Sequence, residues 1–94
     1  MDRINDGKCY TTEMPLVQFA MYFGEDFIEA KKDETGRRCM FVFLLTDKIK
    51  ELRHKIKMNI PIVIDDGVRF LEVQRKFHVT VHTVMAESDD KKET

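Results

Sequence analysis

Tryptophan is absent from this sequence, and cysteine, proline and glycine are scarce: two, two and four residues respectively. No apolar run approaches the roughly 18 residues of a membrane span, so a transmembrane protein is not expected. The start Met1-Asp2-Arg3 lacks the anatomy of a signal peptide, which predicts a cytoplasmic protein. Two cysteines, Cys9 and Cys39, do not make a disulfide scaffold, and they lack the close pairing of zinc ligands. The expectation is two free thiols, Cys39 serving as a small apolar residue in its strand. The glycines are scattered, so no loop rich in them is available to cradle a phosphate. Gly24, Gly36 and Gly67 each have a turn or helix-end explanation.

Catalytic constellations are missing as well. No Ser, Cys or Lys nucleophile stands in a motif with a base. His78 and His82 have the i, i+4 spacing that places two rings on one side of a helix, but no third ligand converges on them. Asp65-Asp66 precedes an amphipathic run and reads as a helix cap rather than as a metal-binding carboxylate pair. The expectation is a protein that is not an enzyme, with no metal and no cofactor.

What remains is a 94-residue chain of ordinary globular composition, 43% hydrophobic and 35% charged, enough for one modest core. Its organising stretch is Phe27 to Leu45. Phe27, Ile28 and Ala30 alternate loosely with Glu29 and Lys31, and Asp33-Glu34-Thr35-Gly36 supplies a turn with a glycine at its end. Cys39 to Leu45 then runs apolar without a break, as a central strand does. Ahead of this β-hairpin, Thr11-Thr12-Glu13-Met14-Pro15 starts a helix. Its stripe is Leu16, Phe19, Ala20 and Phe23, and Gly24 closes it. After the hairpin, Thr46-Asp47 caps a second helix with Ile49, Leu52 and Ile56 inward, ending at Asn59 before Pro61. A third helix starts at Asp65-Asp66 and runs to about Phe77.

The β-branched alternation from His78 to Val84 leaves that segment open between helix and strand. The predicted fold is α+β, a single small domain of helix, β-hairpin, helix and helix. A third strand is expected from 60–64 or 78–84. Its bounds are residues 9–85, between a flexible arm over 1–8 and a disordered acidic tail over 86–94, and Cys9 and Tyr10 at its start read as a short strand or as an entry clamp. The predicted core is Leu16, Phe19, Phe23, Phe27, Met40, Val42, Leu44, Leu52, Ile56, Phe70 and Phe77.

Net charge is −1, but its distribution is uneven. Between Lys31 and Lys57 nine Lys or Arg oppose four acids. Lys31, Lys32, Arg37 and Arg38 crowd the hairpin tip, while Lys50, Arg53 and Lys57, with His54, share the outer side of the second helix. If the two elements sit side by side, they form one basic patch for a DNA or RNA backbone. The competing expectation is a protein-interaction module. Its open hairpin edge would pair with a host or phage protein or with a second copy in a homodimer.

The segments TTEMPLVQFAMYFG, CMFVF, DKIKELRHKI and IVIDDGVRFLEVQRKF together resemble a family of small bacterial and phage domains of unknown function, over about residues 9–80. The sequence departs from that pattern after Phe77, where a β-branched run replaces the expected helix end. The resemblance implies a phage or mobile-element protein inside a bacterial host cell, and it implies no reaction.

Overall fold

Asp6 and Gly7 adopt positive φ angles of 54° and 71°. This is the backbone of a type I′ turn, whose twist matches that of two antiparallel strands. The turn joins β1 (Asp2–Asn5) to β2 (Lys8–Thr11), with Asn5 opposite Lys8. The computed structural model describes the backbone of residues 2–92 and the side chains of residues 3–86. The arm expected to be flexible over residues 1–8 therefore holds an edge strand and its turn.

Beyond β2, the Thr11 hydroxyl accepts the Glu13 N–H (2.9 Å) and turns the chain into α1 (Met14–Tyr22). Pro15 sits in the first turn, where its missing N–H leaves no intrahelical bond unmade. Gly24, at φ 90°, ends α1, and the Glu25 N–H reaches back to the Ala20 carbonyl (2.9 Å).

The predicted hairpin follows as β3 (Glu29–Lys32) and β4 (Cys39–Leu44), with Ala30 opposite Phe41. Its loop is closed by the Asp33 N–H on the Arg38 carbonyl (2.9 Å), with Gly36 at φ 74°. On its other side β4 pairs with β2, Cys9 facing Phe43. The result is a four-stranded antiparallel sheet of order β1-β2-β4-β3.

Two helices complete the domain. In front of α2 (Asp47–Lys57) the Thr46 hydroxyl accepts the Ile49 N–H (3.2 Å). At its far end Asn59, at φ 61°, lets the Ile60 N–H bond to the Lys55 carbonyl (2.8 Å). Asp66 caps α3 (Gly67–Lys92) by accepting the Arg69 N–H (3.0 Å). Its own N–H donates to the Tyr22 hydroxyl (2.9 Å), which ties the start of α3 to the end of α1.

The α+β class is as predicted, but its extra strands come from the N-terminus. Residues 60–64 form no strand, and 78–84 are helical. Local β propensity gives way there because Val81, Val84 and Met85, at i+4, i+7 and i+8 from Phe77, all pack against the core. The tail predicted to be disordered over 86–94 falls on the last turns of α3. Residues 93 and 94, and the side chains beyond Ala86, lie outside the described residues.

All three helices pack on one face of the sheet. Leu16, Val17 and Ala20 of α1, Ile49 and Leu52 of α2 and Phe77 of α3 are buried together with Cys9, Cys39, Phe41 and Phe43. Complete burial of each phenylalanine contributes about 1.5–3 kcal/mol. The residues of β4 expected inside, Met40, Val42 and Leu44, belong to the opposite face. Leu44 is 58% exposed there, whereas Val42 is buried between its strand neighbours Tyr10 and Glu29. An unbroken apolar run has no alternation from which its inward parity could be read, and pairing with β2 decides it. Both cysteines are buried and free. Cys39 lies four positions along β4 from the partner of Cys9, about 13 Å at strand spacing, too far for a disulfide.

Candidate nucleic-acid interface

The sequence of α2 interleaves three rows of the same i, i+3, i+7 spacing. Ile49, Leu52 and Ile56 form the apolar row, with Ile49 and Leu52 buried and Ile56 half-buried. Lys48, Glu51 and Lys55 form a second row, whose net charge Glu51 cuts to +1. Glu51 bridges both lysines, at 3.5 Å to Lys48 and 3.0 Å to Lys55. The hydrogen bond from Lys55, and then the charges of Lys48 and Lys55, hold the Glu51 carboxyl below its ordinary range. Lys50, Arg53 and Lys57 form the third row. With His54 they line a groove of about 380 Å³ floored by Leu16 and Ile56, in which Glu13 is the one acid among the lining residues. Lys50, Arg53 and Lys57, expected on the outer side of the second helix, line this groove together with Glu13 and Leu16 from the start of α1.

The hairpin residues divide differently. Lys31 lies on the outer face of β3, 3.6 Å from Glu29. Lys32 stands opposite Cys39 and therefore belongs to the helix-covered face. Arg37 and Arg38 are exposed at the tip and line a second groove of about 730 Å³ on the outer side of the sheet. Arg3, Tyr10, Thr12 and Met40 line it too, along with Asp33, Glu34 and Thr35. The Arg3 guanidinium lies over the Tyr10 ring, 5.2 Å from its centroid. The loop is held by hydrogen bonds of its own. The Thr35 hydroxyl donates to the Asp33 carboxylate (2.6 Å) and accepts the Arg37 N–H (3.1 Å). That hydroxyl bond, with N–H groups of Arg38, Thr35 and Gly36, lowers the Asp33 pKa.

The seven candidate residues thus do not make one patch. The two grooves share no lining residue. Period-2 alternation separates Lys31 from Lys32, and α2 makes its main helix contact with α1. Sequence reasoning missed Arg3 and Tyr10. The Asp6-Gly7 turn was the signal that would have placed them, since it folds β1 back so that Arg3 pairs with Tyr10.

Among the described residues no group of three or more His, Cys, Asp or Glu side chains is placed to hold a metal ion. His78 and His82 are both exposed on α3. Nor is any described helix long and apolar enough to cross a membrane. No family model, curated protein or solved structure matches the chain.

Proposed function

We propose that this is a small non-catalytic accessory protein that binds the phosphate backbone of nucleic acid through the cationic row of α2. The observation that carries the reading is the sorting of charge on that helix. Glu51 offsets one of the two charges on Lys48 and Lys55, while Lys50 and Lys57 flank Arg53 along one groove. Lys50 to Lys57 spans about 10 Å of helix, comparable with the axial rise of about three phosphate-to-phosphate steps along one duplex strand. Arg37 and Arg38 at the hairpin tip supply a second contact on the other groove. Phosphate contacts of this kind give affinity without base preference. The phage or mobile-element setting inside a bacterial cell follows from the resemblance of the motifs.

The test is binding to short labelled oligonucleotides, single- and double-stranded, across a salt series. The three α2 contacts give about −2 to −3 of the log–log salt slope, and the two at the hairpin tip steepen it to about −3.5 to −4.5. Lys50→Gln with Lys57→Gln should flatten that slope. Lys48→Gln with Lys55→Gln, which removes the same formal charge, should leave it nearly unchanged. Equal losses from the two pairs, or no binding at low salt, would refute the reading. A second reading, a protein-interaction module acting on a host or phage protein or on another copy, is favoured by the apolar side chains that α3 leaves in solvent.

A further inference from the structure

The core-facing stripe of α3 is Phe70, Val73, Phe77, Val81 and Val84, all buried or half-buried. On the opposite side of the same helix run Val68, Arg75, Val79, His82 and Ala86, with Leu71 and Glu72 beside them. Three of these are large apolar residues in solvent: Val68 is 71% exposed, Leu71 54% and Val79 64%. A helix that has already buried one stripe in its own domain gains nothing from a second one facing water.

The charges within the outer stripe suggest what covers it. Among the described residues, Glu72 and Arg75 have no ion-pair partner. They stand at equal distances either side of the peptide joining Val73 to Gln74, and Val68 and Val79 do likewise. The stripe is therefore complementary to itself when reversed. We propose that α3 docks antiparallel on α3 of a second copy of this chain, about a twofold axis at that peptide. Val68 then meets Val79 of the second copy, and Glu72 meets Arg75 of the second copy. Each contact occurs twice, as an isologous interface requires.

The alternatives are worse by charge. A parallel twofold pair sets Glu72 against Glu72 and Arg75 against Arg75. An antiparallel pair with its axis moved to Arg75 brings Leu71 to Val79 but stacks the two arginines at the centre. The proposed register alone among these joins apolar to apolar and acid to base. It is independent of the nucleic-acid reading, whose residues lie on α2 and the hairpin tip.

Sedimentation equilibrium of the full chain over a micromolar to submillimolar range tests this. A monomer–dimer equilibrium is expected. Glu72→Arg and Arg75→Glu should each weaken it by about tenfold, since each variant replaces two attractive pairs with two repulsive ones. The double variant Glu72→Arg/Arg75→Glu, with its charges exchanged, should restore dimerisation to within a few-fold of the original. Val79→Glu should abolish it while the helical circular dichroism is retained. A monomer at every concentration would overturn the proposal. So would a double variant as weak as the singles, or a Val79→Glu protein that dimerises normally.

Discussion

Replacing Phe77 with alanine probes the joint between α3 and the rest of the domain. The Phe77 side chain is 3% exposed, and its ring stacks on that of Phe41 with centroids 5.5 Å apart. Phe41 is itself fully buried at the centre of the sheet. Phe→Ala at such a site costs about 3–5 kcal/mol, because lost transfer energy adds to the cavity left behind. A domain of this size has roughly 5–14 kcal/mol in total, from about 0.05–0.15 kcal/mol per residue. The single change therefore removes about a fifth of the stability at the least. Urea denaturation followed by circular dichroism would show the midpoint falling by roughly 3–5 M at an m-value near 1 kcal/mol/M, with the m-value unchanged. Thr83→Ala, on the exposed side of the same helix, should stay within about 0.5 kcal/mol. A Phe77→Ala variant that loses less than about 1 kcal/mol would mean that α3 is not anchored through this ring.

Two further outcomes follow from the caps and charges. Thr46→Ala removes both the cap on the Ile49 N–H (3.2 Å) and the bond to the Glu25 carboxylate (2.9 Å). It should destabilise by about 1–2 kcal/mol in the same assay, with Thr46→Ser recovering most of the loss. Glu51 should titrate by NMR below the ordinary carboxylate range and move upward in Lys55→Met, because the hydrogen bond from Lys55 is the largest cause of its shift. Its folded pKa is the lower one, so whatever stability the pair adds is present above the unfolded pKa. That stability fades as pH falls through the folded value. A midpoint that ignores the loss of Lys55 would contradict the geometry of that row.

The parts of the fold that were legible in the sequence are those where local chemistry and tertiary packing agree. Thr46, Asp66, Gly24 and Asn59 mark helix ends in the sequence, and all four do so in the structure. The β3–β4 hairpin was readable because a polar turn ending in Gly36 separates two apolar runs. Three features were not legible. Residues 2–5 are too short and polar to announce a strand, although Asp6-Gly7 beside them is a strong hairpin signal. The run from His78 to Val84 prefers a strand by local propensity, and only the packing of Val81, Val84 and Met85 against the core holds it in a helix. Cys39 to Leu44 carries no polar residue, so nothing in the run itself distinguishes Met40, Val42 and Leu44 from Cys39, Phe41 and Phe43. The candidate site shows the same division. The row Lys50, Arg53 and Lys57 follows from helical spacing and appears intact. Its union with the hairpin tip required a long-range arrangement that spacing cannot encode.

The position of β4 has a kinetic consequence. Its pairing with β3 needs only the short loop 33–38 to close, an event on the microsecond scale. Its pairing with β2 must span all of α1 and β3, and the entropy of closing that longer loop is compensated only when α1 settles on the sheet at the same time. The two hairpins, β1–β2 and β3–β4, are each local, and neither is stable on its own in water. The contacts that join them, Cys9 with Phe43 and Thr11 with Phe41, set the pace at which the whole domain forms.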